Sequence, residues 1–365
     1  MPRVTGFVII TIGLFAIVLG GQYFSQPQNK APSVLYGGLV QSSNSLAQVS
    51  PEYAIGFPRD HQPHPDFAVE WWYFTSNLKS QSNPEQHYSV QFTLFRFNRG
   101  GLTQSAWSDG QLFMAHASIH TPQTHYFDER FATGGNRHAG VLSEPLVIQL
   151  DNWSWRSTTA ELLPARLNIP LDDIELTLEL TATGPIVLHG EQGYSRKSAN
   201  GSHASMYYSQ PFIHVAGELQ TTQGNEVLVG QGWFDHEWTS QVLNEQTQGW
   251  DWFSLHLDNG EKLMAFRMRL NDQADHITGT LISPDGTART LPPTALNLTP
   301  QEYARMEQRK YPSRWRLRIP HHGVDIELTP RKPDQWNQGR FPYYEGAVTI
   351  TGSHSGVGFM ELTGY

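Results

Sequence analysis

The sequence predicts an all-β protein: two antiparallel β-barrel domains packed together, with few short helices. Three observations predict it. The 32 glycines and 23 prolines among 365 residues are spread along the chain, as expected for many short strands joined by turns. Alternation of apolar and polar residues recurs from about residue 51 onward. The chain also repeats its own landmarks in the same order.

The alternation is clearest in "HYSVQFTLFRF" (87–97), where Val90, Phe92 and Leu94 face one way. In "QLFMAHASIH" (111–120), Met114, His116, Ser118 and His120 share a face. "IELTLEL" (174–180), "FIHVAGEL" (212–219), "VDIELTP" (324–330) and "GAVTITG" (346–352) behave alike, and "TQGN", "DNG" and "PDG" mark turns between strands. One segment departs. "TPQEYARMEQR" (299–309) predicts a short helix, with Thr299 as N-cap and Pro300 at the first helical position.

The repeat matches "EWWYFTSNL" (70–78) to "GWDWFSLHL" (249–257), "LFRF" (94–97) to "AFRM" (265–268), and "RLNIPLDDIELT" (166–177) to "RLRIPHHGVDIELT" (316–329). "YYSQPFIHVAGEL" (207–219) loosely matches "YYEGAVTITG" (343–352). This is duplication of a domain and not a short-period array. It predicts domains at 52–232 and 233–365, with "GWFDHEW" at the junction. Closing each sheet into a barrel removes exposed edges, and such a barrel either fills with side chains or holds a small ligand.

Ahead of these domains, residues 1–24 read as a signal peptide or N-terminal membrane anchor. Arg3 precedes the uncharged run 4–21, which sits between the length of a signal core and that of a spanning helix. One flanking Arg keeps the terminus inside and sends the rest across. Residues 25–51, rich in Gln, Ser, Asn and Pro, read as a flexible linker. The expectation is an exported, periplasmic protein, held at the inner membrane if the segment is retained. A net charge of -9 without a dense basic cluster argues against nucleic acid. The absence of cysteine excludes disulfides and thiolate chemistry.

Candidate chemistry lies in acids set among aromatics. In "GWFDHEWTSQ" (232–241), a strand would project Trp233, Asp235 and Glu237 to one side and Phe234, His236 and Trp238 to the other. The zincin spacing His-Glu-x-x-His fails, because Ser240 stands where the second His belongs. "RDHQPHPDF" (59–67) holds His61, His64 and Asp66 without ligand-like spacing, so hydrogen bonding is expected there and no metal. Glu70 beside Trp71, Trp72 and Tyr73, and Asp251 between Trp250 and Trp252, could be neutral proton donors if buried. Aromatic faces beside such a donor suit protonation of an alkene and cradling of the cation. The alternative is pairing with Arg96 and Arg267. "GYSRKSANGSHASMYYSQP" (193–211) reads as a surface loop leading into a Tyr-rich strand, and no Gly-x-Ser-x-Gly motif is present.

Several long motifs resemble the carotenoid 1,2-hydratase (hydroxyneurosporene synthase)/AttH family. They are "FPRDHQPHPDFAVEWWYFTSNL" (57–78), "QFTLFR" (91–96), "MAHASI" (114–119), "GWFDHEWTSQ", "GWDWFSLHLDNGEKLMAFRMR" (249–269), "YYEGAVTITG" and the terminal "ELTGY". The resemblance runs from about residue 52 to the C-terminus. It implies two lipocalin-like barrels and, for the hydratase branch, cofactor-independent addition of water to an isoprenoid double bond. His236 and Trp238 match that branch's His-x-Trp pair. Its Tyr-x-Asp pair is not placed here, where "AFRMR" (265–269) offers Phe and Arg. The exported branch resembles this chain more, and some of its members accompany ABC export systems.

Together these readings expect one pocket for a hydrophobic, isoprenoid or lipid-like molecule, where acid-catalysed hydration or hydrolysis could proceed with no cofactor and no metal. Glu70, Asp235, His236, Glu237 and Asp251 are the candidate catalytic residues. Trp71, Trp72, Tyr73, His116, Tyr207, Tyr208, Trp238, Trp250 and Trp252 are the candidate ligand contacts. The competing expectation is a non-catalytic periplasmic lipid carrier or chaperone accessory to an ABC export system.

Overall fold

A computed structural model describes residues 39, 46–100, 109–135, 137–241, 247–271 and 273–365. The apolar run 4–21 and most of the expected linker lie outside the described residues.

The first sheet contains β1 (Val69–Ser80), β2 (His87–Asn98), β3 (Gln111–His120), β4 (His125–Thr133), β5 (Ala139–Ser143), β6 (Leu146–Leu150), β7 (Trp153–Ser157), β8 (Ala165–Leu171), β9 (Ile174–Ala182), β10 (Val187–Leu188), β11 (Tyr194–Arg196), β12 (Ala204–Thr221) and β13 (Gly224–Thr239). The second contains β14 (Thr247–Leu257), β15 (Lys262–Leu270), β16 (His276–Ile282), β17 (Ala288–Leu291), β18 (Asn297–Met306), β19 (Arg309–Ile319), β20 (Val324–Pro330), β21 (Trp336–Asn337), β22 (Tyr343–Gly352) and β23 (Gly356–Leu362). All pairings are antiparallel, and both sheets curl into near-barrels. Among the described residues there is no α-helix, and 3-10 turns occur at Arg59–His61 and Pro320–His322.

The strand orders are β4-β3-β2-β1-β13-β12-β9-β8-β7-β6-β5 and β17-β16-β15-β14-β23-β22-β20-β19-β18. Written side by side they superimpose: in each half the first strand pairs with both the second and the last. The short strands β10 and β11 add to β12 as β21 adds to β22. The repeated sequence landmarks fall on matching strands. Glu70 opposes Arg96 in the first sheet, and Asp251 opposes Arg267 in the second.

Two sequence expectations are corrected. The helix expected over 299–309 is the β18–β19 hairpin, whose turn includes Glu307 at φ 51°. Pro300 fits because β18 ends the strand order and the ladder shifts register just after it, and a sheet edge or bulge needs no N–H there. The boundary expected at 232/233 cuts β13. That strand is bonded along both edges to β1 and β12, so the first sheet keeps it through Thr239 and the second begins at Thr247.

Alternation divides the apolar residues into three clusters. Trp72, Phe74, Phe92, Trp155 and Phe234 fill the first near-barrel. Phe253, Trp315, Tyr344 and Met360 fill the second. The outer faces of the same central strands supply Tyr73, Tyr207, Trp233, Trp252, Phe266 and Phe359 to a cluster between the two. Each central strand is therefore buried on both faces, which is why β1 and β13 read as nearly continuous apolar and aromatic runs.

Candidate functional site between the two near-barrels

A cavity of about 130 Å³ opens at one end of the seam between the sheets. Strand β1 contributes Val69, Trp71 and Tyr73; β13 contributes Asp235 and Glu237; β14 contributes Trp250 and Trp252. Phe266 and Met268 come from β15, Glu361 from β23, Tyr207 from β12, and Lys197 from just after β11, which pairs with β12. These are alternate residues on each strand, so the period of two aims one complete face at the cavity. Trp71, Phe95 and Trp250 are half-buried and form its rim.

The acids here are unusual for their burial. Burial pushes Asp235 up to about 7, opposed by hydrogen bonds from Ser209 and Trp233. Trp233 Nε1 donates to Asp235 Oδ1 at 2.8 Å, and the Ser209 hydroxyl donates to the same oxygen. Ser209 Oγ in turn lies 2.6 Å from His189 Nε2, and His189 Nδ1 lies 2.8 Å from Thr280 Oγ1. Burial holds His189 neutral, with its pKa lowered to about 3. A directed chain Thr280→His189→Ser209→Asp235 therefore crosses the seam.

Glu361 is pushed up to about 8 by burial, and the charges of Asp235 and Glu237 add to the rise. It accepts from Trp250 Nε1 at 2.8 Å. Its cross-strand partner Glu345 is raised well above the carboxylate range by burial and by Glu361, and accepts from the Tyr73 hydroxyl at 2.7 Å. Glu237 differs. It accepts from Ser205 and pairs with Lys197 at 2.9 Å. Lys197 Nζ also sits 4.5 Å from the Tyr207 ring and 4.7 Å from Phe266. The cavity thus combines protonated carboxyls with aromatic faces that already attract a cation.

The opposite face of β13 builds a separate network inside the first near-barrel. Glu70 accepts from Arg96 Nε at 2.7 Å and from the His64 backbone N–H at 2.8 Å. His64 Nδ1 lies 2.6 Å and His236 Nε2 2.8 Å from Glu70 Oε1. Tyr208 OH bridges His236 Nδ1 at 3.1 Å and His61 Nδ1 at 2.7 Å. Despite complete burial, Arg96 and the two histidines hold Glu70 well below its usual range. Burial lowers His236; for His64, burial is outweighed by Glu70 and Asp60, which raise it. Trp238 stacks on His64 at 3.8 Å, and Trp72 stacks on His236 at 4.6 Å.

Ligand-type atoms of His64, Glu70 and His236 lie within 4.8 Å of one another. The carboxylate they share is already taken by donors on both oxygens, one of them a guanidinium. That chemistry is an ion-pair network and not a cation cradle.

The structure thus separates residues expected in one pocket. Trp71, Tyr73, Tyr207, Asp235, Glu237, Trp250 and Trp252 line the cavity. Glu70, Trp72, Tyr208, His236 and Trp238 lie on the other face of the same strands. Asp251 is buried with Tyr365 OH at 2.8 Å and Arg269 Nε at 3.6 Å, away from the cavity lining. His116 bridges Tyr343 OH and Glu129, each at 3.0 Å. The physical reason is the pleat: neighbours in sequence point to opposite faces.

Sequence reasoning missed Glu361, Glu345, His189 and Lys197. Glu361 carried a signal, as a charge alternating with Phe359 in an apolar strand. Lys197 lay in the stretch read as a surface loop, which the structure instead folds over the cavity by pairing β11 with β12.

Two curled antiparallel sheets sharing an aromatic, carboxyl-bearing cavity define a double-barrel lipocalin-like protein. The chain belongs to the AttH-like family, whose profile matches residues 48–365. It is similar to a crystal structure assigned to AttH from Nitrosomonas europaea, with 33% identity, coverage of 88% of this chain and 99% of that one, and TM-score 0.79. Kievitone hydratase from Nectria haematococca shares the fold at 17% identity, TM-score 0.66, covering 89% of this chain and 97% of that one. CghA with Sch210972 shares it at 13% identity, TM-score 0.53, with the same coverage of 89% and 97%. A comparison with curated proteins finds no match.

Proposed function

We propose that the cavity between the near-barrels binds the unsaturated end of a hydrophobic, isoprenoid-like molecule and adds water across its double bond without a cofactor. The observation that carries this reading is a carboxyl group, Asp235, with its pKa near 7 among aromatic faces. The similarity in fold to kievitone hydratase points the same way. Protonated Asp235 gives its proton to one alkene carbon, and the cation forms on the neighbouring, more substituted carbon. Trp71, Tyr73, Trp250 and Trp252 stabilise it through their faces. Water adds its oxygen to the cation and returns a proton to the Asp235 carboxylate, which restores the acid.

A cavity of about 130 Å³ compares with the roughly 150 Å³ that holds one benzene ring. It therefore encloses a chain end and leaves the rest of a long polyene outside. The test is incubation of purified protein with acyclic carotenes and polyprenyl lipids in heavy-oxygen water, followed by mass spectrometry. One labelled oxygen per product, lost in Asp235→Asn, is expected. Bound but unlabelled ligand sinks the hydratase reading.

That second outcome describes a carrier. Asp235 ends the hydrogen-bonded chain that starts at Thr280 of the second sheet, and Glu345 of the second sheet accepts from Tyr73 of the first, which favours this reading because such acids also serve as ties across the seam. On either reading the protein is proposed to act outside the inner membrane, tethered or exported by residues 4–21 and beside an ABC export system. Fractionation of cells expressing the full chain tests the location, and recovery in the cytoplasm overturns it.

A further inference from the structure

A second cavity, of about 380 Å³, lies at the other end of the seam. Its lining includes Asn77 and Lys79 of β1, His87 of β2, His256 of β14, and Arg331 just after β20. Asn77 is six residues beyond Trp71 on β1, a separation of roughly 20 Å at strand rise. Trp233 and Phe359 fill the seam between the two cavities, so the second is independent of the hydratase reading.

Its chemistry is the inverse of the first. Among the described residues, no carboxylate lies within ion-pair distance of Arg331, Lys79 or His87. Arg331 Nε is buried without a hydrogen-bond partner, and so is Nδ1 of His256, which is only 4% exposed. Burial lowers Arg331, with no compensating acid beside it. Burial first, then Arg331 and Lys79, hold His87 down, against a small opposing pull from Glu85. The one acid on the lining, Asp258, accepts from Ser355 N–H at 3.2 Å and Ser355 Oγ at 2.6 Å. A buried donor without an acceptor is costly, and crowded positive charge in a cleft focuses an attractive field for anions.

We infer that this cavity is an oxyanion site for a soluble phosphate or phosphomonoester, bound by Arg331, Lys79, His87 and the His256 imidazole. The donors converge from both near-barrels, which suits a tetrahedral group better than a planar carboxylate. A guanidinium supplies the directional pair of N–H bonds, and Lys79 adds a point charge. The space beyond one phosphate accommodates a small organic substituent.

The full chain is titrated with inorganic phosphate and with glycerol 3-phosphate by calorimetry, at constant ionic strength against chloride. Saturable one-to-one binding is expected, weakened at least tenfold in Arg331→Gln. Lys79→Gln, at an exposed side chain that folding does not need, weakens it several-fold and guards against an Arg331 variant that merely misfolds. Heat no larger than that of chloride overturns the inference, as does equal affinity in both variants. Affinity only for vesicles containing phosphatidic acid assigns the donors to a lipid headgroup and overturns the soluble ligand.

Discussion

Among individual residues, two glutamates on central strands, Glu70 and Glu361, have opposite electrostatic fates. Glu70 is ionised because Arg96, His64 and His236 surround it. Replacing it leaves a buried guanidinium unpaired, so Glu70→Ala lowers stability by ~3–5 kcal/mol, read by denaturant unfolding. Unchanged unfolding would mean that Arg96 finds another acceptor. Glu361 has only an indole N–H and other carboxyls nearby, so it retains its proton. Glu361→Gln keeps that neutral shape. It leaves stability near pH 4, below the ordinary glutamate range, within about 1 kcal/mol of the parent, since an isosteric swap removes no packing. Asp235→Asn likewise preserves the fold, yet it abolishes any proton transfer to a bound alkene. Product formation, measured against binding of the same ligand, separates those two effects.

Among the strands, β13 is the organising one. One face presents Asp235 and Glu237 to the seam, and the other presents His236 and Trp238 to the interior. It is pressed so closely to its neighbour that a Cβ at Gly230 would stand 2.1 Å from the carbonyl oxygen of Asn77. Gly230→Ala must therefore push β1 and β13 apart. The expected cost is on the order of 1–3 kcal/mol, with altered ligand binding because Trp71 and Asp235 ride on those two strands. Faster amide exchange along β1 and β13, without change in β18 or β19, is the diagnostic pattern.

For the molecule as a whole, the seam has a pH dependence whose sign can be worked out. Asp235 and Glu361 have folded pKa values, about 7 and about 8, above their ordinary ones. Their contribution is fully present below about pH 4 and is lost as pH rises through 7 to 8. Each pH unit that separates a folded from an unfolded pKa is worth ~1.4 kcal/mol. Glu70, lowered in the fold, contributes in the opposite sense and loses its share as pH falls into the acid range. The melting temperature is therefore expected to fall between about pH 5 and 8, with tryptophan emission shifting red as Trp233, Trp250 and Trp252 gain water. The double variant Asp235→Asn/Glu361→Gln flattens that limb. A parent protein already flat over the same range would show that both acids ionise freely.

The all-β class, the duplication and the two faces of "GWFDHEWTSQ" were legible in the chain alone, because periods of two and repeated landmarks are local properties written residue by residue. The same periodicity placed Asp235 and Glu237 opposite His236 and Trp238. Which of those faces looks into the cavity was not legible, since that depends on where the second sheet docks. Folding in three dimensions paired Glu70 with His236 from 166 residues away and brought Glu361 from the last strand beside Asp235. Proton affinities followed from that arrangement, because they depend on burial and on neighbours that no stretch of strand carries with it.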